Sequence, residues 1–283
     1  MKNLFWNVWL GIWACMPLCV SAQSSETATD TLRLITFNIR YDNPGDGENC
    51  WVNRRKACLD MLHKYSPDVF GVQEALPNQM EDLRKGLPEY GCVGRGRAPH
   101  TSENEHAAVF YRKDKFVLED SATFWLSTTP DTVSVGWDAK LPRVATWVRL
   151  RDKRKHKELL YLNAHLDHKG SDARTSSAQL IVDELKKKMD RESLPVFVTG
   201  DFNALPESVP VETMRGFLKD LRKEVEPGNT EQTVNGWGTE PPHKIIDYIF
   251  YRDSKPLEYK VVTENFGVPY ISDHFPVYGA FVY

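Results

Sequence analysis

Cysteine is scarce in this chain of 283 residues, and so is any surplus of one charge. The five cysteines stand at positions 15, 19, 50, 58 and 92, the first two inside the N-terminal apolar stretch. An odd remainder in an exported protein is no disulfide framework. No cysteine pairs with a histidine at metal-ligand spacing, which argues against a structural zinc site. Cys58 shares a helical stripe with Trp51, Arg54, Met61, Leu62 and Tyr65, and reads as a buried core thiol. Lys and Arg number 36 against 39 Asp and Glu, for a formal charge of −3. That balance lacks the basic footprint of a strong polynucleotide binder and favours a small or locally gripped substrate, while leaving a nucleic acid open. Internal repeats, low-complexity blocks and Gly- or Ser-rich mid-chain linkers are also missing.

Only Leu4 to Val20 makes a long apolar run. It follows Lys2, contains Pro17 near its end, and precedes the small residues Val20-Ser21-Ala22. Residues 1–22 therefore read as a secretory signal rather than a retained anchor, with export to the periplasm or the exterior. Trp13 makes Cys15 a poor lipidation site. Residues 23–31 read as a polar linker and 32–283 as one domain, with no stable membrane span in the mature chain and a monomer expected.

Periodicity predicts strands at 32–39, 69–73, 107–111, 116–125, 144–150, 159–166, 196–199, 245–251, 259–262 and 277–282, with β-rich sequence also leading up to Val93. Helices are predicted at 51–65, near 79–85 and at 173–189. One mixed α/β domain, two packed sheets with helices outside, accounts for this order.

Short polar clusters end several of the apolar runs: Thr36-Phe37-Asn38, Gln73-Glu74, Asn163 to Asp167, Gly200-Asp201-Phe202-Asn203 and Ser272-Asp273-His274. Alternation along a strand puts Asn163, His165 and Asp167 on one side and Asp201 with Asn203 on one side. Their types suit metal-assisted attack on a phosphate ester. Glu74 can hold a hard cation such as Mg²⁺, and Asn38 can add a neutral oxygen. Asp201 can orient or deprotonate water, and Asn203 can steady the developing charge. His274 can take a hydrogen bond or proton if Asp247 fixes its tautomer, and His165 can touch a phosphate oxygen. Singly, each motif is as readily a turn or a cap. The case rests on their joint occurrence in order.

Together with Ile246-Asp247-Tyr248-Ile249, these motifs resemble the endonuclease/exonuclease/phosphatase superfamily, near its exported bacterial members and the deadenylases related to nocturnin. The resemblance covers nearly all of the mature chain. It implies a four-layer α/β sandwich and divalent-metal hydrolysis of phosphodiesters or phosphomonoesters, with Mg²⁺ as cofactor and Mn²⁺ able to substitute. Carried over, Asn38, Glu74 and Asp273 surround the metal, Asp201 and Asn203 handle nucleophile and phosphate, Asp247 and His274 form the acid–base pair, and His165 contacts the scissile phosphate. Asp167 departs from the more variable polar residues found there.

Substrate is less defined. Arg40, Arg54, Arg55, Arg95, Arg97 and Arg143 fall in segments expected near the rim, each as readily ordinary surface charge. Trp51, Trp137 and Trp237 could stack on a base or sugar, or anchor loops. Arg40, Arg143 and Trp237 are the named substrate-binding candidates. The expected activity is a 3′→5′ exonuclease-like phosphodiesterase, with single-stranded nucleic acid as substrate. The alternative is a phosphatase or phospholipase-C-like enzyme on a sugar phosphate, inositol phosphate or lipid head group, and a non-catalytic binding module is remoter.

Overall fold

The computed structural model describes Met1 and residues 31–101, 104–189 and 194–283. The expected signal peptide, Met1 apart, and residues 23–30 lie outside the described residues. No helix among the described residues is long and apolar enough to cross a membrane.

In chain order the elements are β1 (Thr31–Asn38), α1 (Trp51–Tyr65), β2 (Val69–Ala75), α2 (Pro77–Gly86), β3 (Tyr90–Val93), β4 (His106–Arg112), β5 (Phe116–Trp125) and β6 (Val144–Asp152). There follow β7 (Glu158–His165), α3 (Ser171–Lys188), β8 (Val196–Asp201), α4 (Val209–Arg215), β9 (Lys219–Asp220), α5 (Leu221–Val225), β10 (Asp247–Arg252), β11 (Lys255–Val261) and β12 (Val277–Val282). Local chemistry sets several ends. Ser66 takes a left-handed φ of 42° just before Pro67, which closes α1. Pro77 opens α2, and the Gln79 side chain reaches back to accept from Leu76 N at 3.0 Å. Helices α4 and α5 escape the sequence reading because seven and five residues are too few to show a helical period.

Among the described residues the strands form two mixed sheets of six. Their orders are β11-β12-β1-β2-β4-β3 and β5-β6-β7-β8-β10-β9, with β1 parallel to β2 and β7 parallel to β8. Three apolar clusters mark the contacts between four layers. One packs α1 and α2 on the first sheet, through Met61, Leu83 and Phe37. Another lies between the sheets, through Leu34, Val148 and Phe197, and the third packs α3 and α4 on the second sheet, through Ile181, Val198 and Met214. This is the α/β sandwich expected.

The central strands change character along their length on the face between the sheets. In β1 that face runs Leu32, Leu34, then Thr36, Asn38; in β7 it runs Leu159, Tyr161, then Asn163, His165. In β8 Phe197 gives way to Thr199 and Asp201, and in β2 Val69 gives way to Gly71 and Gln73. Strand β10 is antiparallel to β8, so it begins polar with Asp247, opposite Asp201, and continues to Ile249 and Tyr251. The apolar half glues the sheets, and the polar half gathers at one edge of the sandwich.

Candidate active site

The site stands on a buried polar layer that joins the sheets. Asn163 Nδ2 donates across the interface to Val72 O at 2.9 Å and Ala108 O at 3.0 Å, while its Oδ1 accepts from Gln73 Nε2 at 2.7 Å. Tyr161 OH and Thr199 Oγ1 meet at 2.7 Å beside it. Only glycine fits opposite: a Cβ on Gly71 would come within 2.4 Å of the Asn163 side chain. Asn163 thus supports the site from below and does not share the rim with His165.

Above this layer, carboxylates crowd together. Asn38 Nδ2 donates to Glu74 Oε1 at 3.1 Å and to Asp201 Oδ2 at 3.0 Å, bridging the two sheets. Glu74 holds a left-handed φ of 65°, and its Oε2 accepts from Tyr41 N at 3.2 Å. Asn203, also left-handed at 47°, donates its backbone N–H to Asp201 Oδ1 at 2.8 Å and its amide to Leu166 O at 3.1 Å. Burial, then the nearby Asp247 charge, push the Asp201 carboxyl up to about 7.

The two site histidines are driven apart. His274 Nδ1 sits 2.9 Å from Asp247 Oδ2, and its Nε2 is 3.9 Å from Asp201 Oδ2. Burial alone would lower its pKa, but the Asp247 carboxylate, with Asp201 and Asp273, holds it well above the ordinary imidazole range. His165 goes the other way. Burial, then the charge of Arg143 at 3.1–3.2 Å from its ring nitrogens, keep it well below that range and neutral.

These donors fit a hard divalent cation, since the clustered groups are mostly carboxylate oxygens whose repulsion a cation would relieve. Glu74, His165 and Asp201 each offer a ligand atom within 4.8 Å of the others, and Asp201, Asp247 and His274 do likewise. The expected ligand set is placed differently in two respects. Asn38 turns its N–H₂, not its oxygen, to the carboxylates, because two acceptors demand a donor, and its Oδ1 accepts from Arg40 N at 3.0 Å. Asp273 belongs to neither cluster, and its Oδ2 lies 3.7 Å from Arg40 Nη1. Burial, with the Glu74 charge against the pull of His274, raises its pKa.

A cavity of about 660 Å³ opens over these groups, and Arg40 and Arg143 both line it. Arg40 is held by a fork to Asp46, with Nε to Oδ2 at 2.9 Å and Nη2 to Oδ1 at 3.0 Å. Arg143 is tied to Asp167 Oδ1 at 3.3 Å, so the buried Asp167 is an anchor beneath the site rather than a rim group. Trp237 does not line the cavity. Its ring lies against Arg54, at 5.6 Å from the guanidinium carbon, and Trp51 flanks Arg54 at 5.1 Å. Arg54 itself is buried. It donates to the carbonyls of Ile39, Asn49, Arg40 and Ile271, tying α1 to the loops that carry Arg40 and Asp273. Of the three tryptophans proposed as stacking groups, Trp137 alone is well exposed.

Arg97, one of the arginines expected near the rim, lines the cavity, as do His168 and Glu105, which the sequence did not single out. His168 Nδ1 accepts from Arg143 Nη2 at 2.8 Å, and Arg97 pairs with Glu105 at 2.7 Å. His168 follows directly on the His165–Asp167 cluster, and that adjacency was the available signal.

The Endonuclease/Exonuclease/phosphatase family profile matches residues 5–274. Among solved structures, an endonuclease/exonuclease/phosphatase from Bacteroides vulgatus is 37% identical, with a TM-score of 0.82 over 89% of this chain and 98% of that one. A mannosyl-6-phosphatase from Bacteroides thetaiotaomicron is 33% identical, with a TM-score of 0.83 over 89% of this chain and 100% of that one. Nocturnin of Xenopus laevis is 23% identical over 258 residues, which span 81% of this chain but only 64% of nocturnin. Family members are hydrolases of phosphate esters, and the family is generally divalent-metal dependent. This chain belongs to the endonuclease/exonuclease/phosphatase family.

Proposed function

We propose that the protein is a Mg²⁺-dependent phosphomonoesterase acting on a phosphorylated sugar. The observation that carries this reading is the cavity over Asp201, His165, Asn203 and His274, whose walls mix Arg40 and Arg143 with Asp42 and the Arg97–Glu105 ion pair. A polynucleotide would bring further phosphates against those carboxylates, whereas a single phosphate with a neutral hydroxylated body would not. The similarity to a mannosyl-6-phosphatase at 33% identity supports the same substrate class. The phosphodiesterase expected from the sequence draws support from the likeness to nocturnin, but loses Trp237 as a stacking group at the cavity.

In this reading Glu74, tethered to Asp201 through Asn38, would hold the cation. A cation bound there would supply neutralisation of phosphate charge and of the leaving oxygen. Asp201, poised near neutral pH, accepts the proton of the attacking water. The His274 imidazolium, fixed by Asp247, and the Asn203 amide donate to phosphate oxygens, while Arg143 orients His165.

Phosphate release from mannose 6-phosphate, phenol release from a bis-aryl phosphodiester and nucleotide release from single-stranded RNA should be compared with Mg²⁺ and with Mn²⁺. Fastest turnover of the monoester is expected; preferred cleavage of RNA or of the diester would reject the proposal.

A further inference from the structure

The catalytic cavity does not end at Asn203. His168 and Asn203 line both that cavity and a neighbouring hollow of about 480 Å³. Leu205 and His243 line that hollow and a third one of about 600 Å³. A trough therefore leads away from the reacting centre, along the loops after β7 and β8 and the segment that leads into β10.

Its walls alternate apolar and hydrogen-bonding groups. Leu205 is 56% exposed and Pro242 lies across the same hollow, while Thr230 and His243 supply polar atoms farther along. His243 Nδ1 lies 3.0 Å from Thr230 O, and a carbonyl only accepts. In the neutral ring Nδ1 therefore carries the proton, which leaves Nε2 as an acceptor for a hydroxyl. Of the cations there, Lys244 Nζ is 2.9 Å from Glu240 Oε1, while buried Arg222 donates to the backbone carbonyl of Asn229 at 2.8 Å and leaves its Nε without a partner. A polyanion would thus pass Glu207 and Glu240 and find Lys244 already paired, while a neutral polyhydroxylated chain would find apolar faces, acceptors and the free Nε–H of Arg222 as a donor. Asn203 and His243 both hold left-handed backbone, with φ of 47° and 72°.

We propose that this trough binds neutral sugar units joined to the phosphorylated one, making the substrate a phosphorylated oligosaccharide rather than a free sugar phosphate. The inference rests on the phosphomonoesterase reading above. It is tested with mannose 6-phosphate, a mannotriose bearing a terminal 6-phosphate, and unphosphorylated mannotriose. The phosphorylated trisaccharide should show a kcat/KM about ten-fold or more above the monosaccharide, mainly through KM. Leu205→Glu and, separately, His243→Gly should erase most of that gain. Saturation-transfer NMR should detect unphosphorylated mannotriose on the wild-type protein and lose it in Leu205→Glu. Equal kcat/KM values, a gain kept in both variants, or no saturation transfer would overturn the trough assignment, as would displacement of the trisaccharide by an oligonucleotide. Mannotriose binding without hydrolysis of either phosphosugar would instead overturn the phosphomonoesterase reading and leave the trough standing.

Discussion

His274 Nδ1 meets Asp247 Oδ2 at 2.9 Å, although the two residues come from different sheets. Asp247 opens β10 in the second sheet, and His274 precedes β12 in the first. Neighbouring chain holds the loop in place: Asn235 N and Gly236 N donate to Asp273 O at 2.8 and 3.0 Å, and Ser272 Oγ donates to Asn38 O at 2.6 Å. The pair depends on the packing of the whole sandwich.

Asp247 raises the His274 pKa, so Asp247→Asn should lower it. If the imidazolium is the active form, activity is lost as pH rises through that pKa. The variant's alkaline limb should then move to lower pH, with kcat/KM down about 10²–10⁴-fold. A kcat/KM–pH profile checks this; an unmoved limb would separate His274 from the titration.

Removal of divalent cations with EDTA should abolish turnover, and Mg²⁺ should restore it. Added Mg²⁺ should also raise the melting temperature of the wild-type protein, because a ligand bound only by the native state stabilises it. Glu74→Gln should lose most of that shift in a thermal melt. Full activity in EDTA would defeat the cation assignment.

Arg54→Lys keeps the charge but cannot serve four carbonyls at once. A stability loss of about 2–4 kcal/mol is expected from the unpaired carbonyls. Denaturant unfolding measures it. A parallel rise in the Mg²⁺ concentration needed for half-maximal activity would report the loosened loops.

Gly71→Ala should cost about 1–3 kcal/mol, because its methyl would collide with Asn163, and with Thr199 Oγ1 at 2.8 Å. Pairing it with Asn163→Ala should recover part of the loss. Chemical denaturation of both variants decides whether the two positions are coupled.

Burial acts to raise the Asp167 pKa, but the backbone N–H groups of Gly170 and Lys169, with Arg143, bring it down to about 2. Its unfolded value is about 3.9. A depressed carboxylate contributes stability that is present above the unfolded pKa and lost as pH falls through the folded one. The stability difference between wild type and Asp167→Asn should therefore shrink from pH 4 to pH 2, by about 2 kcal/mol. Urea titrations across that range test it.

Much of the fold was legible because its long strands and helices carry a clear period. Strands β5 and β12 and helix α1 match their expected bounds, while the short α4, β9 and α5 carried too little pattern. Site motifs were legible because each ends an apolar run. Arg54 was not: its position on a helical stripe agrees with burial, but its carbonyl partners lie 14 and 217 residues away as well as nearby. Trp237 likewise gave no sign that it would pack on Arg54.

The order of polar clusters after apolar strands, and hence the reaction class, was set by the sequence alone, since alternation and residue chemistry are local. Only the tertiary structure decided that His165 is neutral while His274 is charged, that Asn38 bridges two carboxylates as a donor, and that Asp167 anchors Arg143. Those outcomes depend on burial and on charges brought together from distant strands, and electrostatic energy in a buried site follows distance in space rather than in sequence.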